Sequence, residues 1–145
     1  MDNSSSNKSG FTITSSGDAL GFPSYHPFNT WKTHWIPSDK NNAWIQIECP
    51  EAVRIYKFGL RGKIIGGLLE RIKSFTLLGR QYGNIDNWIV LNNSINTPIG
   101  TLTQFFDVNN LTTFKFFKLQ INGSDGEAPG LSHFQLFTLD SLKMV

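Results

Sequence analysis

Apolar and polar residues alternate in short bursts along this chain, and the bursts are separated by glycine, proline and asparagine. Phe11-Thr-Ile-Thr14 alternates cleanly and predicts a short first strand. Gly17, Gly21, Pro23 and Pro27 then mark residues 17 to 30 as loop. Trp31 and Trp35 bracket a further connection that closes in Pro37-Ser-Asp-Lys-Asn-Asn42. Trp44-Ile-Gln-Ile-Glu-Cys49 predicts a strand with Ile45, Ile47 and Cys49 on one face. Pro50 is expected to end it, and Val53 to Phe58 to begin the next.

The stretch from Arg61 to Lys73 offers two readings. Ile64-Ile-Gly-Gly-Leu-Leu-Glu-Arg-Ile72 has amphipathic spacing, yet two adjacent glycines cost a helix interior about 2 kcal/mol. A long loop is therefore expected. Strands resume at Ser74 to Leu78 and, after a turn from Gly79 to Asn87, at Trp88 to Leu91. Phe105 to Val108 and Thr113 to Ile121 read as a pair joined across Asn109-Asn110. Within the second, Phe117, Leu119 and Ile121 are expected on one face, and Phe114, Phe116, Lys118 and Gln120 on the other. Asn122 to Gly130 is polar loop, and His133 to Leu139 closes the series. About eight short strands with regular turn signals predict an all-β protein, a sandwich.

Composition sharpens this picture in three ways. Aromatics reach 13% while charged residues reach only 17%, a balance that suits strands joined by uncharged polar turns. The net charge of +2 gives no reason to expect nucleic acid as a partner. Cys49 is the sole cysteine, so no internal disulfide forms, and its place on an apolar strand predicts a buried, inert thiol. No apolar run approaches the ~18 residues of a membrane-spanning helix. Met1 to Gly10, rich in Ser and Asn without a hydrophobic stretch, reads as a flexible arm or the cut edge of a longer protein, and not as a signal peptide. One domain is expected over residues 11–145.

Several segments, taken in order, resemble the discoidin family, the coagulation-factor C-type or galactose-binding-like jelly roll. Phe28-Asn29 with Trp35, Trp44-Ile-Gln-Ile-Glu48, and Pro50-Glu-Ala-Val53 with Ile55 are similar to its opening elements. Arg71-Ile-Lys-Ser-Phe-Thr-Leu-Leu-Gly79 is similar to its Arg-x-Lys-Ser-aromatic strand, and Gly83 to Trp88 to the turn that follows. Phe116-Phe-Lys-Leu-Gln-Ile121, the loop from Asn122 to Gly130 and Leu131 to Phe137 complete the likeness. The resemblance spans about Phe11 to Leu139 and implies a jelly-roll β-sandwich of about eight antiparallel strands. Many members bind a structural calcium through an Asp and a Glu, where this chain has Asn29 and His133. Calcium favours carboxylate oxygens, so no calcium or other cofactor is expected.

The resemblance also implies where a ligand binds: on loops at one end of the sandwich, here Gly21 to His34, Arg61 to Glu70 and Asn122 to Gly130. Tyr25 and Trp31 offer aromatic faces for a pyranose ring. His26, His34, Arg61, Lys63, Asp125 and Glu127 offer hydrogen bonds to its hydroxyls. Catalysis has no such support: the chain carries no nucleophile elbow, no phosphate-binding glycine loop and no zinc-protease motif. The expectation is a non-catalytic module that binds a glycan or glycosylated receptor, gaining strength from multivalency in a homo-oligomer or larger assembly such as a viral or phage fibre tip. Two alternatives stand beside it. Between Arg54 and Arg80 lie seven basic residues and one acid, Glu70, a concentration suited to an anionic phospholipid surface. Ile64-Ile65 and Leu68-Leu69 would serve such a surface as apolar tips, unless the leucines are core or an oligomer contact; the other alternative is a structural or protein-docking domain with no small ligand.

Overall fold

A computed structural model of the chain describes residues 7–8, 10–21, 23–24, 26–28, 35–62, 71–83, 87–126 and 129–138. Nine strands appear among them: β1 (Asn7–Lys8), β2 (Phe11–Ser15), β3 (Trp44–Val53), β4 (Ile55–Gly62), β5 (Ile72–Arg80), β6 (Ile89–Ser94), β7 (Gln104–Asp107), β8 (Phe114–Ser124) and β9 (Leu131–Thr138). A single 3-10 turn, His26–Phe28, is the helical element of the described residues. The strands form a six-stranded sheet in the order β1-β2-β3-β8-β5-β6 and a three-stranded sheet in the order β7-β4-β9. Every pairing is antiparallel, and the chain is an all-β sandwich.

Alternation in sequence becomes alternation in burial. Ile45 and Ile47 of β3 are fully buried and Cys49 nearly so, while Trp44, Gln46 and Glu48 between them stay half-exposed. Phe117, Leu119 and Ile121 of β8 face the same core. The two sheets meet through an aromatic cluster. Phe58 of β4 stacks on Phe106 of β7 at 5.1 Å, and Phe75 of β5 meets both edge-on, at 6.4 and 5.2 Å. Offset and edge-to-face contacts of this kind add to the burial that holds the layers together.

Five expectations change. Pro50 does not end β3, which runs on to Val53. The β3–β8 ladder lapses between Glu48 and Val53, so the amide hydrogen that proline lacks is not needed there. Gly79 and Arg80 continue β5 and pair with Phe117 and Phe116, so the turn begins later than expected. Phe105 to Val108 does not pair with the strand after it: β7 joins β4 in the small sheet, whereas β8 lies between β3 and β5 in the large one. Asn109-Asn110 is thus part of a connection between layers. Phe114 turns its ring to the core side, because Gly79 leaves the space it fills. At the N-terminus, Asn7 and Lys8 pair with Thr12 and Phe11, so this part of the anticipated arm is a strand. The loop expected between Arg61 and Lys73 falls mostly on residues 63–70, outside the described residues.

Candidate functional site

Strand polarity brings the long connections to one end of the sandwich. β4 finishes at Gly62, β8 at Ser124 and β2 at Ser15, while β3, β5 and β9 begin at Trp44, Ile72 and Leu131. The ends of the three anticipated ligand loops converge on Leu131. Trp35 and Leu131 exchange backbone hydrogen bonds, 2.8 Å in one direction and 2.9 Å in the other. Gly62 is the register partner of Leu131 in β4, and its N–H donates to Gly100 O at 2.8 Å. Phe28 packs on the strand of Leu131, its ring 5.3 Å from that of Phe134.

Arg61 stands at this corner, opposite His133 in the β4–β9 register. Its Nε donates to Ser132 Oγ at 2.9 Å, and Ser132, fully buried, donates in turn to Gly62 O at 2.8 Å. One guanidinium nitrogen lies 3.5 Å from His133 Nε2. These contacts restrain the Arg61 side chain along one edge, and a planar guanidinium so held is suited to directional hydrogen bonds. Asp125 lies in the turn after β8. Its N–H donates to Arg71 O at 2.7 Å, and its carboxylate meets Arg71 at 3.2 Å and Lys73 at 3.3 Å. The loop after β8 is thereby tied to the start of β5.

Of the anticipated binding residues, Arg61 and Asp125 are thus placed at the same end of the fold. His26 opens the 3-10 turn whose Phe28 packs on β9. Tyr25, Trp31, His34, Lys63 and Glu127 lie outside the described residues, as does Asn29 of the expected calcium position. His133, the other calcium position, sits inside β9 beside Arg61. Among the described residues no group of three or more His, Cys, Asp or Glu side chains is arranged to hold a metal ion.

Two contributors were not singled out from sequence. Ser132, which holds Arg61, looked like one polar position in an alternating strand. Asp18 anchors the base of the first loop: it accepts from Trp35 Nε1 at 2.9 Å, from Ser15 Oγ, and from the Ser24 N–H at 3.2 Å. An acid between Gly17 and Gly21 of a loop carries no local signal that a tryptophan 17 residues away needs it. The described basic residues between Arg54 and Arg80 are divided between the two sheets. Lys57 and Arg61 belong to β4 in the small sheet, and Lys73 and Arg80 to β5 in the large one.

No family model matches the sequence, and no curated protein matches it. Solved structures do. A chitosan-binding module from the chitosanase/glucanase of Paenibacillus sp. IK-5 superposes with a TM-score of 0.74 at 15% identity, covering 88% of this chain and 95% of that one. The fold is the galactose-binding-like β-sandwich. A family 32 carbohydrate-binding module of NanJ from Clostridium perfringens, solved with galactose, matches with a TM-score of 0.72 at 10% identity over 88% of this chain and 93% of its own. A family 89 glycoside hydrolase from Clostridium perfringens matches with a TM-score of 0.75 at 12% identity; 92% of this chain is covered, but only 14% of the enzyme. The galactose-binding-like sandwich therefore recurs both as a separate module and as a small part of larger chains.

Proposed function

We propose that this domain is a non-catalytic carbohydrate-binding module whose glycan site lies at the Leu131 end of the sandwich. The observation that carries the reading is the convergence of three loop ends on Leu131, with the restrained Arg61 guanidinium beside them. Two of the structures that share the fold are modules named for binding chitosan or solved with galactose, which supports the same class of ligand here. Arg61 and Asp125 supply a donor and an acceptor for sugar hydroxyls, and Tyr25, His26, Trp31, His34, Lys63 and Glu127 complete the proposed contact set. The site needs no metal. Attachment to a glycosylated receptor through several copies is the setting in which a weak single site gives useful affinity.

A glycan array tests this with the purified domain displayed multivalently, once with calcium and once with chelator. Selective binding to a few related glycans, unchanged by chelator, is the expected result. A blank array under both conditions overturns the reading, and binding abolished by chelator overturns its metal-free part.

A further inference from the structure

The outward face of the six-stranded sheet carries chemistry that the loop-end site does not use. The registers Trp44↔Gln120, Gln46↔Lys118 and Phe116↔Arg80 place these side chains together on that face. Lys118 Nζ stands 4.4 Å from the centre of the Trp88 ring and 5.7 Å from that of Trp44. Arg80 Cζ stands 4.3 Å from Trp88 and 5.2 Å from Phe116. The indoles hold two cations side by side at the surface.

Neither cation meets a carboxylate among the described residues. Arg80 Nε is shielded from solvent and makes no hydrogen bond. Glu48 shares the face, but its carboxylate is engaged by Lys115 at 3.5 Å. Partial burial, and then the Arg80 charge, push the Lys118 ammonium below the usual lysine pKa. Among the described residues two like charges are thus kept together without a counter-charge, a strain that an incoming anion relieves.

Towards the loop end the same face runs into a groove of about 540 Å³ lined by Asn41, Asn42, Gln120, Asn122 and Ser124. Its side chains are preset: Asn122 Nδ2 donates to Thr76 Oγ1 at 2.8 Å, and Thr76 donates to Asn93 Oδ1 at 3.0 Å. Amides and hydroxyls combine donor and acceptor in one side chain, which suits the hydroxyl pairs of a sugar. From Ser124 to Phe116 along β8 the track covers about 26 Å at roughly 3.3 Å per residue.

We propose that this face is a second binding site, for an acidic polysaccharide. The groove amides take sugar hydroxyls, and Arg80 and Lys118 take the carboxylate or sulfate groups farther along the same chain. A neutral glycan would leave the two cations uncompensated, and a lipid headgroup would leave the amide groove unused. The inference stands apart from the loop-end reading, so a blank array of neutral glycans leaves it intact.

The test is affinity gel electrophoresis of the 145-residue chain in polygalacturonate, in chondroitin sulfate, in fully methyl-esterified pectin and with duplex DNA. Retardation by at least one of the two acidic polysaccharides is expected, with little by the esterified chain, which keeps the sugars but loses the charge. Arg80→Gln with Lys118→Gln weakens binding by about tenfold or more, whereas Arg80→Lys with Lys118→Arg largely retains it. Lys57→Gln, which removes one positive charge from the other sheet, leaves it unaltered. Thermal melting verifies that each variant is folded, and Asn122→Ala, at an exposed position, weakens binding even if the double glutamine variant fails to fold. No retardation by either acidic polysaccharide, equal retardation by the ester, equal binding of DNA, or an equal loss in Lys57→Gln overturns the proposal.

Discussion

The indole N–H of Trp35, a side chain with no exposed surface, donates to Asp18 Oδ1 at 2.9 Å. Asp18 also accepts from Ser15 Oγ and from the Ser24 N–H, so one carboxylate organises both arms of the first loop. Asp18→Ala leaves a buried donor unpaired and is expected to cost about 1–3 kcal/mol. Asp18→Asn keeps an acceptor and loses less. Urea unfolding of the two variants checks the order, and equal losses would show that the Trp35 hydrogen bond is not what matters.

Gly79 lies under the Phe114 ring, where an added β-carbon would stand 2.8 Å from Cγ and 3.0 Å from both Cδ atoms. Phe114 is almost fully buried and in edge contact with Phe117, so the ring has little room to retreat. Gly79→Ala should therefore destabilise the sandwich by about 1–3 kcal/mol through overpacking. Pairing it with Phe114→Leu should recover part of the loss. Additive losses in the double variant, read from denaturant midpoints, would contradict the contact.

Burial, assisted by the nearby Glu48 charge, pushes the Cys49 thiol up to about 12 from its ordinary 9.0. The thiol form is therefore favoured by folding. Its contribution to stability is fully present below pH 9 and is lost as pH rises towards 12. Over that window wild-type stability should fall more steeply than that of Cys49→Ala, by at most about 1.4 kcal/mol per pH unit. Thiol reagents at neutral pH should label Cys49 only at the rate at which the protein opens. Fast labelling of the native protein would contradict the burial.

Arg61 and Asp125 separate binding from stability. The ion pairs of Asp125 with Arg71 and Lys73 are about a third exposed, so Asp125→Asn should cost less than about 1 kcal/mol. Arg61→Ala gives up the hydrogen bond to Ser132 but leaves Ser132 bonded to Gly62 O. Both variants should melt close to wild type, yet lower affinity for an array-selected glycan by about tenfold. Titration calorimetry with that glycan reads the effect, and unchanged affinity in both would remove them from the site.

The strands were legible because burial on one face of a sheet enforces a period of two, and Ile45, Ile47 and Cys49 or Phe117, Leu119 and Ile121 carry that period openly. Pro50 misled because proline excludes a strand only where the ladder needs its N–H, and ladder gaps are set by the neighbouring strand. Arg61 and Asp125 could be nominated by their loops and residue types. Ser132 and Asp18 could not, because their partners lie 71 and 17 residues away.

By itself the sequence determined the all-β class, the core face of most strands and the absence of disulfide staples, since these depend on local pattern and composition. The tertiary structure alone decided that β7 leaves its sequence neighbour for the other sheet, that three loops end together at Leu131, and that Arg80, Trp88, Lys118 and Trp44 share one face. Each of these joins residues far apart in the chain. Such meetings are set by which strands pair and in what register, and the pattern within a single strand does not specify its partner.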